Sequence, residues 1–219
     1  MAARILVIGN RNYSSWSMRP WLFMKQHGIA FEEVYIPLYQ ANSKERLLRH
    51  SPSGKVPVLI EGETRVWDSL AILEHLAEAH PRTRAWPADP VARAAARSVC
   101  AEMHSGFPAL RGRLSMNVRK VFAPRTWPAE VDEEIERIQS LWQSCRQRHG
   151  AEGPFLFGRF SAADAMYAPV VWRFIGYSVP LAPAARDYCD AMLSLPPMQE
   201  WQAAARAEAE TLPQFEMAP

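Results

Sequence analysis

Short apolar runs alternate with helical patterns over about the first eighty residues, and this alternation constrains the fold more than any other feature. Residues that alternate with period two predict strands, whereas apolar residues three and four apart predict helices. We predict strands at 5–9, 31–37, 56–60 and 64–67, and helices at 16–27, 42–50 and 70–79. This order, with a hairpin-like turn at 61–63, predicts a mixed sheet covered by helices on both faces.

The pattern changes at His80–Pro90, a segment with three prolines and no periodicity that we interpret as a linker. Longer helical patterns follow at 91–121, with a kink near 106–108, and at 128–149, 161–176, 184–195 and 198–210. We therefore predict an α/β domain of thioredoxin-like fold over 1–81, a linker over 82–89 and an all-α domain over 90–219. Residues 212–219 are expected to form a loosely held tail.

Composition excludes several classes of function. The chain has 219 residues, 48% apolar and 22% charged, as expected for a soluble globular protein. A formal net charge of +2 does not favour nucleic acid as a partner, and no apolar run is long enough to span a membrane. The N-terminus enters a strand without a signal-peptide pattern. The three cysteines have neither disulfide nor metal spacing, which predicts free thiols, no metal site and a cytoplasmic location.

Three hydroxyl groups, those of Tyr13, Ser14 and Ser15, lie at the predicted turn between the first strand and the first helix. Backbone N–H groups point outward at a helix start and favour negative charge, so such a turn can hold a thiolate, a phosphate or a carboxylate. Serine is also a preferred N-cap residue in any protein. These residues alone leave a ligand site and a helix cap open.

Two further motifs follow the turn along the chain. They are Ser51–Ile60, which contains Lys55, Val56 and Pro57, and Trp67–Leu70, which contains Asp68 and Ser69. In this order and spacing the three segments resemble the cytosolic glutathione transferases, and most nearly the serine-type zeta and tau classes. In those classes a serine lies five residues before an arginine, as Ser14 lies before Arg19. The resemblance implies an enzyme of detoxification, usually a homodimer, that conjugates glutathione to small electrophiles. Because the family often tucks its tail over the active site, it also implies an alternative to the loose tail expected at 212–219.

The resemblance also implies roles for individual residues. Ser14 would stabilise the glutathione thiolate, with Ser15 and Tyr13 as rivals, because other classes of the family use a tyrosine. The Val56–Pro57 peptide bond would be cis, and the main chain of Val56 would bond the cysteinyl part of glutathione like an added strand. The alternative for Pro57 is an ordinary proline at the start of a strand.

The ends of glutathione are charged, and three residues are implied as their partners. Lys55 would reach the glycyl carboxylate, whereas a solvated lysine is the alternative. Ser69 and its N–H suit the γ-glutamyl carboxylate, and Asp68 suits the ammonium. Asp68 and Ser69 can equally be explained as helix caps that bind no ligand.

The second substrate is expected between the two halves. The predicted pocket residues are Trp16, Met103, His104, Phe107, Arg111 and Arg173. Met103, His104, Phe107 and Arg111 lie at near-helical spacing in the helix predicted to start at residue 91. Core packing is the alternative for Met103 and Phe107, whereas His104 and Arg111 are the better candidates for contacts with a polar substrate.

One further motif predicts stability. Ser161-Ala-Ala-Asp164 is a capping box, in which the acid at the third helical position reaches back to the Ser161 N–H. The related sequences carry such a box as a folding element, so we assign it no catalytic role.

Two other functions remain open. A zeta-like cis–trans isomerase would add glutathione transiently to a maleyl compound, but zeta sequences typically have cysteine where this chain has Trp16. The substrate-carboxylate arginine of that class has no secure counterpart, because Arg173 is merely nearby. A non-catalytic glutathione-binding module is the other alternative. Disulfide reduction is disfavoured, because the turn contains no cysteine.

Overall fold

The computed structural model describes residues 4–216. The first elements are β1 (Arg4–Ile8), α1 (Ser15–Gln26), β2 (Glu32–Tyr35), α2 (Ser43–Leu48), β3 (Val58–Glu61), β4 (Thr64–Trp67) and α3 (Ser69–Ala79). The strands form a mixed sheet of order β2-β1-β3-β4, in which only the β1–β2 pair is parallel among the described strands. This confirms the predicted α/β fold. The outermost residues of the predicted domains and tail, 1–3 and 217–219, lie outside the described residues.

Both faces of the sheet are covered, which explains why β1 is apolar at successive positions. Leu6 and Ile8 are fully buried in the core that also contains residues of α1 and α3. Val7 is equally buried on the opposite face, in a smaller cluster with Val58 and with Leu47 of α2. The carboxyl end of β1 is thereby held rigidly, and the turn into α1 begins there.

The second half is helical, as predicted. Its elements are α4 (Pro90–Ser105), α5 (Pro108–Arg113), α6 (Ala129–His149), α7 (Ala162–Gly176), α8 (Pro183–Leu193) and α9 (Pro196–Ala207). Helix α7 is buried along nearly its whole length and packs against α1, α4 and α8, so the two halves share one apolar core. All three cysteines are free and buried. Within residues 4–216, no helix is long and apolar enough to cross a membrane.

Asp164 belongs to the capping interactions at the N-terminus of α7. Its carboxylate is fully buried and accepts hydrogen bonds from the N–H groups of Leu156 and Ser161, from the Ser161 hydroxyl and from the Tyr188 hydroxyl. The predicted capping box is confirmed, and it also joins α8 to α7. Burial raises the pKa of Asp164 to about 6, although all four hydrogen bonds favour the charged form.

The prediction of one kinked helix over 91–121 was wrong. Helix α4 ends at Ser105, Phe107 adopts a left-handed conformation with φ of 60°, and α5 starts at Pro108. The reason is local, because a proline lacks an N–H and excludes its predecessor from the right-handed helical region. Residues 114–128 contain no helix.

The prediction of a loose tail was also wrong for the residues that the structure describes. Residues 208–216, the C-terminal strap, cross the turn between β1 and α1. The Glu208 carboxylate accepts hydrogen bonds from the N–H groups of Arg11 and Asn12, the second at 3.1 Å. Lys120 Nζ donates to the Glu216 carbonyl at 2.6 Å, and Leu212 is buried. These contacts join residues far apart in sequence, so no local pattern could have indicated them.

Candidate active site

Ser14 lies at the end of the turn between β1 and α1, and it is the N-cap of α1. Its Oγ accepts a hydrogen bond from the N–H of Ser17 at 3.3 Å and donates one to Ser17 Oγ at 2.8 Å. Ser17 Oγ also accepts from the Gly9 N–H at 3.0 Å, which ties β1 to the first helical turn. The Ser14 hydroxyl must therefore rotate away from Ser17 before it can donate to a ligand. Ser17 was not among the residues predicted for the site, although a second serine three residues after the N-cap is a signal for it.

Ser15 is the first residue of α1 and faces the helical half. Its Oγ accepts a hydrogen bond from Arg173 Nη2 at 3.3 Å. Arg173 is 6% exposed, and its Nη1 donates to the carbonyl of Leu114. Over residues 4–216, no carboxylate forms an ion pair with this guanidinium. The Ser15 hydroxyl proton has no acceptor in the same range, so it is available to a ligand beside a buried positive charge.

The side chain of Tyr13 contacts the C-terminal strap and Arg119. Its hydroxyl donates to the Glu216 carboxylate and accepts from Arg119 Nη2 at 2.7 Å and from the Leu212 N–H at 3.1 Å. Its ring packs against Phe215, with ring centroids 5.6 Å apart. The hydroxyl of Tyr13 is thus fully engaged by the strap and its neighbours, whereas Ser14 and Ser15 lie at the helix start.

The start of α3 brings Asp68 and Ser69 to the same region. Asp68 has a φ of 78°, a conformation that non-glycine residues rarely adopt and that is concentrated at functional sites. Its Oδ1 accepts from the Leu70 N–H at 2.8 Å, so it caps α3. Ser69 is buried, and its Oγ accepts from Arg19 Nη1 at 3.2 Å. The predicted acidic-serine pair is thereby linked to α1.

The segment before β3 offers main-chain groups. The Val56–Pro57 peptide bond is cis, as the resemblance implies. No residue of the described chain forms a hydrogen bond with the N–H or the carbonyl of Val56, so both are available to an extended ligand. Lys55 is exposed, and its Nζ has no acceptor in that part of the chain.

Trp16 lies where the two halves meet. The guanidinium carbons of Arg19 and Arg111 lie 4.3 Å and 4.9 Å from the centroid of its ring, within cation–π range. The His104 ring meets Trp16 edge-on at 5.4 Å. His104 Nε2 is also 3.3 Å from Asp68 Oδ2, which connects α4 to α3. Trp16 and His104 are therefore brought together near the predicted glutathione residues.

Of the other predicted pocket residues, two pack in the apolar core and one binds the end of a helix. Met103 and Phe107 are 1% and 6% exposed and pack in the apolar core, in agreement with the alternative given for them, and their contact with a substrate stays a prediction. The guanidinium of Arg111 donates to the carbonyls of Met103, His104 and Gly106, the last at 2.9 Å. Arg111 thus stabilises the C-terminal end of α4, and its contact with Trp16 is its remaining link to the site.

The region carries an excess of positive charge. Burial lowers the pKa of Arg19 to about 9 and that of Arg173 to about 10, and the charge of Arg111 adds to both effects. Burial likewise lowers the pKa of Arg111. The negative charge of Asp68 partly offsets the lowering of the Arg19 pKa. Buried guanidiniums with few acidic neighbours favour an anionic ligand, and this is the chemistry that the site offers.

Comparisons with known proteins agree with this arrangement. Models of the N-terminal and C-terminal domains of glutathione S-transferases match residues 13–79 and 93–204. The mouse (Mus musculus) maleylacetoacetate isomerase is 37% identical over 182 residues, which are 79% of each chain. A probable maleylacetoacetate isomerase from Caenorhabditis elegans is 33% identical over 100 residues, and this match spans 46% of that relative's length.

A solved structure shows the same fold. It is the crystal structure of a glutathione transferase homologue from Burkholderia GL BGR1 with bound glutathione. It superposes with a TM-score of 0.68 at 24% identity and covers 95% of this chain and 100% of its own. The fold and site define a two-domain protein with a thioredoxin-like half and a helical half. The chain belongs to the glutathione S-transferase family.

Proposed function

We propose that this protein is a glutathione transferase that binds glutathione as co-substrate and conjugates it to small electrophiles. The observation that carries the proposal is the pair of seryl hydroxyls at the start of α1, one of them bonded to the buried guanidinium of Arg173, which has no carboxylate partner among residues 4–216. The thiolate sulfur attacks an electrophilic carbon and forms a C–S bond. The leaving group departs with its electron pair, or an unsaturated acceptor takes up a proton.

The energetics support this mechanism. A free cysteine thiol has a pKa of about 8.5, and lowering it by about two units requires about 2.7 kcal/mol of preference for the anion. One hydrogen bond from a hydroxyl to a charged acceptor supplies about 1.5–3 kcal/mol, and a helix N-terminus adds up to about 1 kcal/mol. We assign the hydroxyl to Ser14, with Ser15 as the rival whose case is strengthened by Arg173. No general base is needed.

The rest of glutathione is held in our proposal by residues of the first half. The main chain of Val56 bonds the cysteinyl part, Lys55 attracts the glycyl carboxylate, and Asp68 and Ser69 bind the γ-glutamyl end. The free main-chain groups of Val56 and the left-handed backbone of Asp68 support these roles. Trp16 and His104 then border the electrophile.

The oligomeric state, the biological role, the cellular location and the domain bounds are also proposals. We propose a homodimer that acts in detoxification in the cytoplasm, with domains at 1–81 and 90–219. The separate matches to two domain families, at 13–79 and 93–204, support the division.

A second candidate function is supported by two of the relatives, the mouse maleylacetoacetate isomerase and the probable maleylacetoacetate isomerase of Caenorhabditis elegans. In a cis–trans isomerase the thiolate would add to a maleyl double bond, the former double bond would rotate, and elimination would return the thiolate. Trp16, in place of the cysteine typical of the zeta class, makes this the less favoured candidate.

Turnover with two kinds of substrate tests the proposal. The protein with glutathione is assayed against aryl halides, epoxides and unsaturated carbonyl compounds, and separately against maleyl compounds whose fumaryl products can be followed. We expect glutathione conjugates from the first panel and little isomerisation. Isomerisation without conjugation would favour the second function, whereas glutathione binding with no turnover in either panel would indicate a non-catalytic module.

A further inference from the structure

Four side chains surround the carboxylate of Glu216, at the end of the C-terminal strap. It accepts hydrogen bonds from the Tyr13 hydroxyl and from Asn117 Nδ2, the second at 3.0 Å. Lys120 Nζ lies 2.8 Å from Glu216 Oε2, and Arg119 Nη2 lies 3.7 Å from Oε1. We call Tyr13, Asn117, Arg119 and Lys120 the carboxylate cradle. Over residues 4–216, no other carboxylate pairs with either of its two cations.

The carboxylate cradle adjoins the turn that carries the seryl hydroxyls. Tyr13 immediately precedes Ser14, so their Cα atoms are about 3.8 Å apart and the cradle lies one tyrosine side chain from the turn. The Arg119 N–H donates to Asn12 Oδ1 at 2.9 Å, and the Val118 N–H donates to the Asn12 carbonyl at 3.3 Å. These two bonds hold the segment that carries the cradle against the same turn.

An aromatic ring of the strap lies beside the cradle. Phe215 contacts the rings of Tyr13 and Tyr39, with centroids 5.6 Å and 5.7 Å apart. The strap therefore places a phenyl ring on Tyr13 and the neighbouring carboxylate, that of Glu216, in the cradle. A small molecule with a carboxylate on an aromatic ring offers the same two groups.

The end of the strap is held less firmly than its beginning. Glu208 accepts two main-chain hydrogen bonds from the turn, and Leu212 is 4% exposed. Residues 213–214 are exposed, and Phe215 and Glu216 are half-buried. Few contacts must therefore break for the last residues to open while the rest of the strap stays in place. Opening would leave two positive charges, a hydroxyl and an amide without their anion, which favours an anionic replacement.

We propose that the carboxylate cradle is a subsite for the electrophile, that it takes substrates with a carboxylate on an aromatic ring, and that Glu216 occupies it until such a substrate binds. Glu216 is then an internal competitor, and the apparent affinity for the substrate is reduced by the fraction of molecules in which the strap is closed. The inference rests on the proposed transferase function for the reaction, but the binding of the carboxylate can be tested without it.

Binding is measured by calorimetry with 3-nitrobenzoate and with the uncharged 3-nitrobenzamide. The whole protein is saturated with S-methylglutathione, so that no thiol can react. Glu216→Gln removes the competing charge and should tighten binding of the benzoate about fivefold, with no change for the benzamide. In the Glu216→Gln background, Lys120→Gln should weaken benzoate binding about fivefold, because competition no longer masks the loss of the cation.

Glu210→Gln is the matched control, because the Glu210 carboxylate is also in the strap but bonds to the Tyr35 hydroxyl at 3.1 Å. Its affinity for the benzoate should equal that of the unaltered protein. In the unaltered protein, bound benzoate should speed hydrogen exchange at the Glu216 N–H, which donates to the Pro213 carbonyl at 3.1 Å in the closed strap. The inference is overturned if Glu216→Gln binds the benzoate no more tightly than Glu210→Gln, if the benzamide gains equally, or if this exchange does not become faster at saturation.

Turnover separates this inference from the transferase proposal. The substrates are 4-fluoro-3-nitrobenzoate and 4-fluoro-3-nitrobenzamide, in which the glutathione thiolate forms a C–S bond at C4 and fluoride leaves with the electron pair of the C–F bond. We expect Glu216→Gln to lower the KM for the benzoate about fivefold and to leave that for the benzamide unchanged. Conjugation of both compounds with equal changes in KM would overturn the carboxylate subsite and support the transferase. The expected binding changes without any conjugation would support the subsite and contradict the transferase.

Discussion

At the residue scale, the three neighbouring hydroxyls have three different partners. Ser14 is bonded to Ser17 within its own helix, Ser15 to Arg173 of α7, and Tyr13 to Glu216 of the strap. Only the first partner is local in sequence. The residue pattern could therefore predict a hydroxyl cluster at a helix start, but it could not predict which hydroxyl proton is free.

Single substitutions in this cluster should separate its members. If Ser14 stabilises the thiolate, Ser14→Ala should raise the pKa of bound glutathione by about one to two units, as expected for a lost charged hydrogen bond. If Ser15 stabilises the thiolate, Ser15→Ala and Arg173→Gln should raise the pKa of bound glutathione instead. The rise should be smaller in Arg173→Lys than in Arg173→Gln, because lysine keeps the positive charge. Ultraviolet absorbance of the thiolate, titrated in the complex, measures the pKa directly.

Tyr13→Phe is the control for these variants, since its hydroxyl contacts the strap. It should leave the thiol pKa unchanged. A large rise in this variant would move the chemistry to the tyrosine, and no rise in any of the serine variants would exclude both seryl hydroxyls.

At the element scale, the start of α7 has an unusually complete cap. Asp164→Ala would leave the buried N–H groups of Leu156 and Ser161 and the Tyr188 hydroxyl without an acceptor. We expect a loss of about 3 kcal/mol in the free energy of unfolding, measured with urea, and unchanged activity per folded molecule. Asp89→Ala, which removes the single bond that caps α4, should cost only about 1 kcal/mol. Equal losses would show that the additional bonds of Asp164 contribute nothing.

The pH dependence of this loss has a defined sign. Burial raises the pKa of Asp164 from 3.8 to about 6, so the folded state takes up a proton more readily than the unfolded state. Its contribution to stability is therefore greatest below about pH 4 and falls as the pH rises through 6. Asp164→Asn should remove this component from the stability profile, whereas a profile identical to that of the unaltered protein would contradict it.

Most elements were predictable because their signals are local. The apolar periodicity of α6 and the strand alternation of β3 and β4 placed each element within about two residues of its observed bounds. The region after α4 was not predictable in the same way. Periodicity continued past Gly106, but Phe107 and Pro108 end the helix, and Asn117 and Arg119 then bond to distant parts of the chain.

At the scale of the whole molecule, the strap connects the end of the chain to its first turn. Arg119 Nη1 and Nη2 each donate at 3.0 Å, to the carbonyls of Glu208 and Glu210. Tyr35 of β2 also donates to the Glu210 carboxylate, at 3.1 Å. The strap thus contacts the sheet, the helical half and the turn that precedes Ser14.

Glu208→Ala should release the strap. The substitution leaves the N–H groups of Arg11 and Asn12 without their acceptor, and each buried unsatisfied donor costs about 1–3 kcal/mol. Hydrogen exchange should become faster in 208–216 and in 10–13, while α7 stays protected. Glu200→Ala, which breaks an exposed ion pair with Lys25, is the matched control and should leave both segments unchanged. Equal exchange in the two variants would contradict a role for Glu208 in holding the strap.

Acid should loosen the same strap through Glu216. Burial raises the pKa of Glu216, but hydrogen bonds from Lys120, Tyr13 and Asn117 outweigh burial and lower it below its ordinary value of 4.5. Its stabilising contribution is therefore present above pH 4.5 and is lost as the pH falls through the lowered pKa. Protection factors in 212–216 should decline over that range and should be low at every pH in Glu216→Gln. Protection that stays constant as the pH falls would show that the charge of Glu216 does not hold the strap against Tyr13.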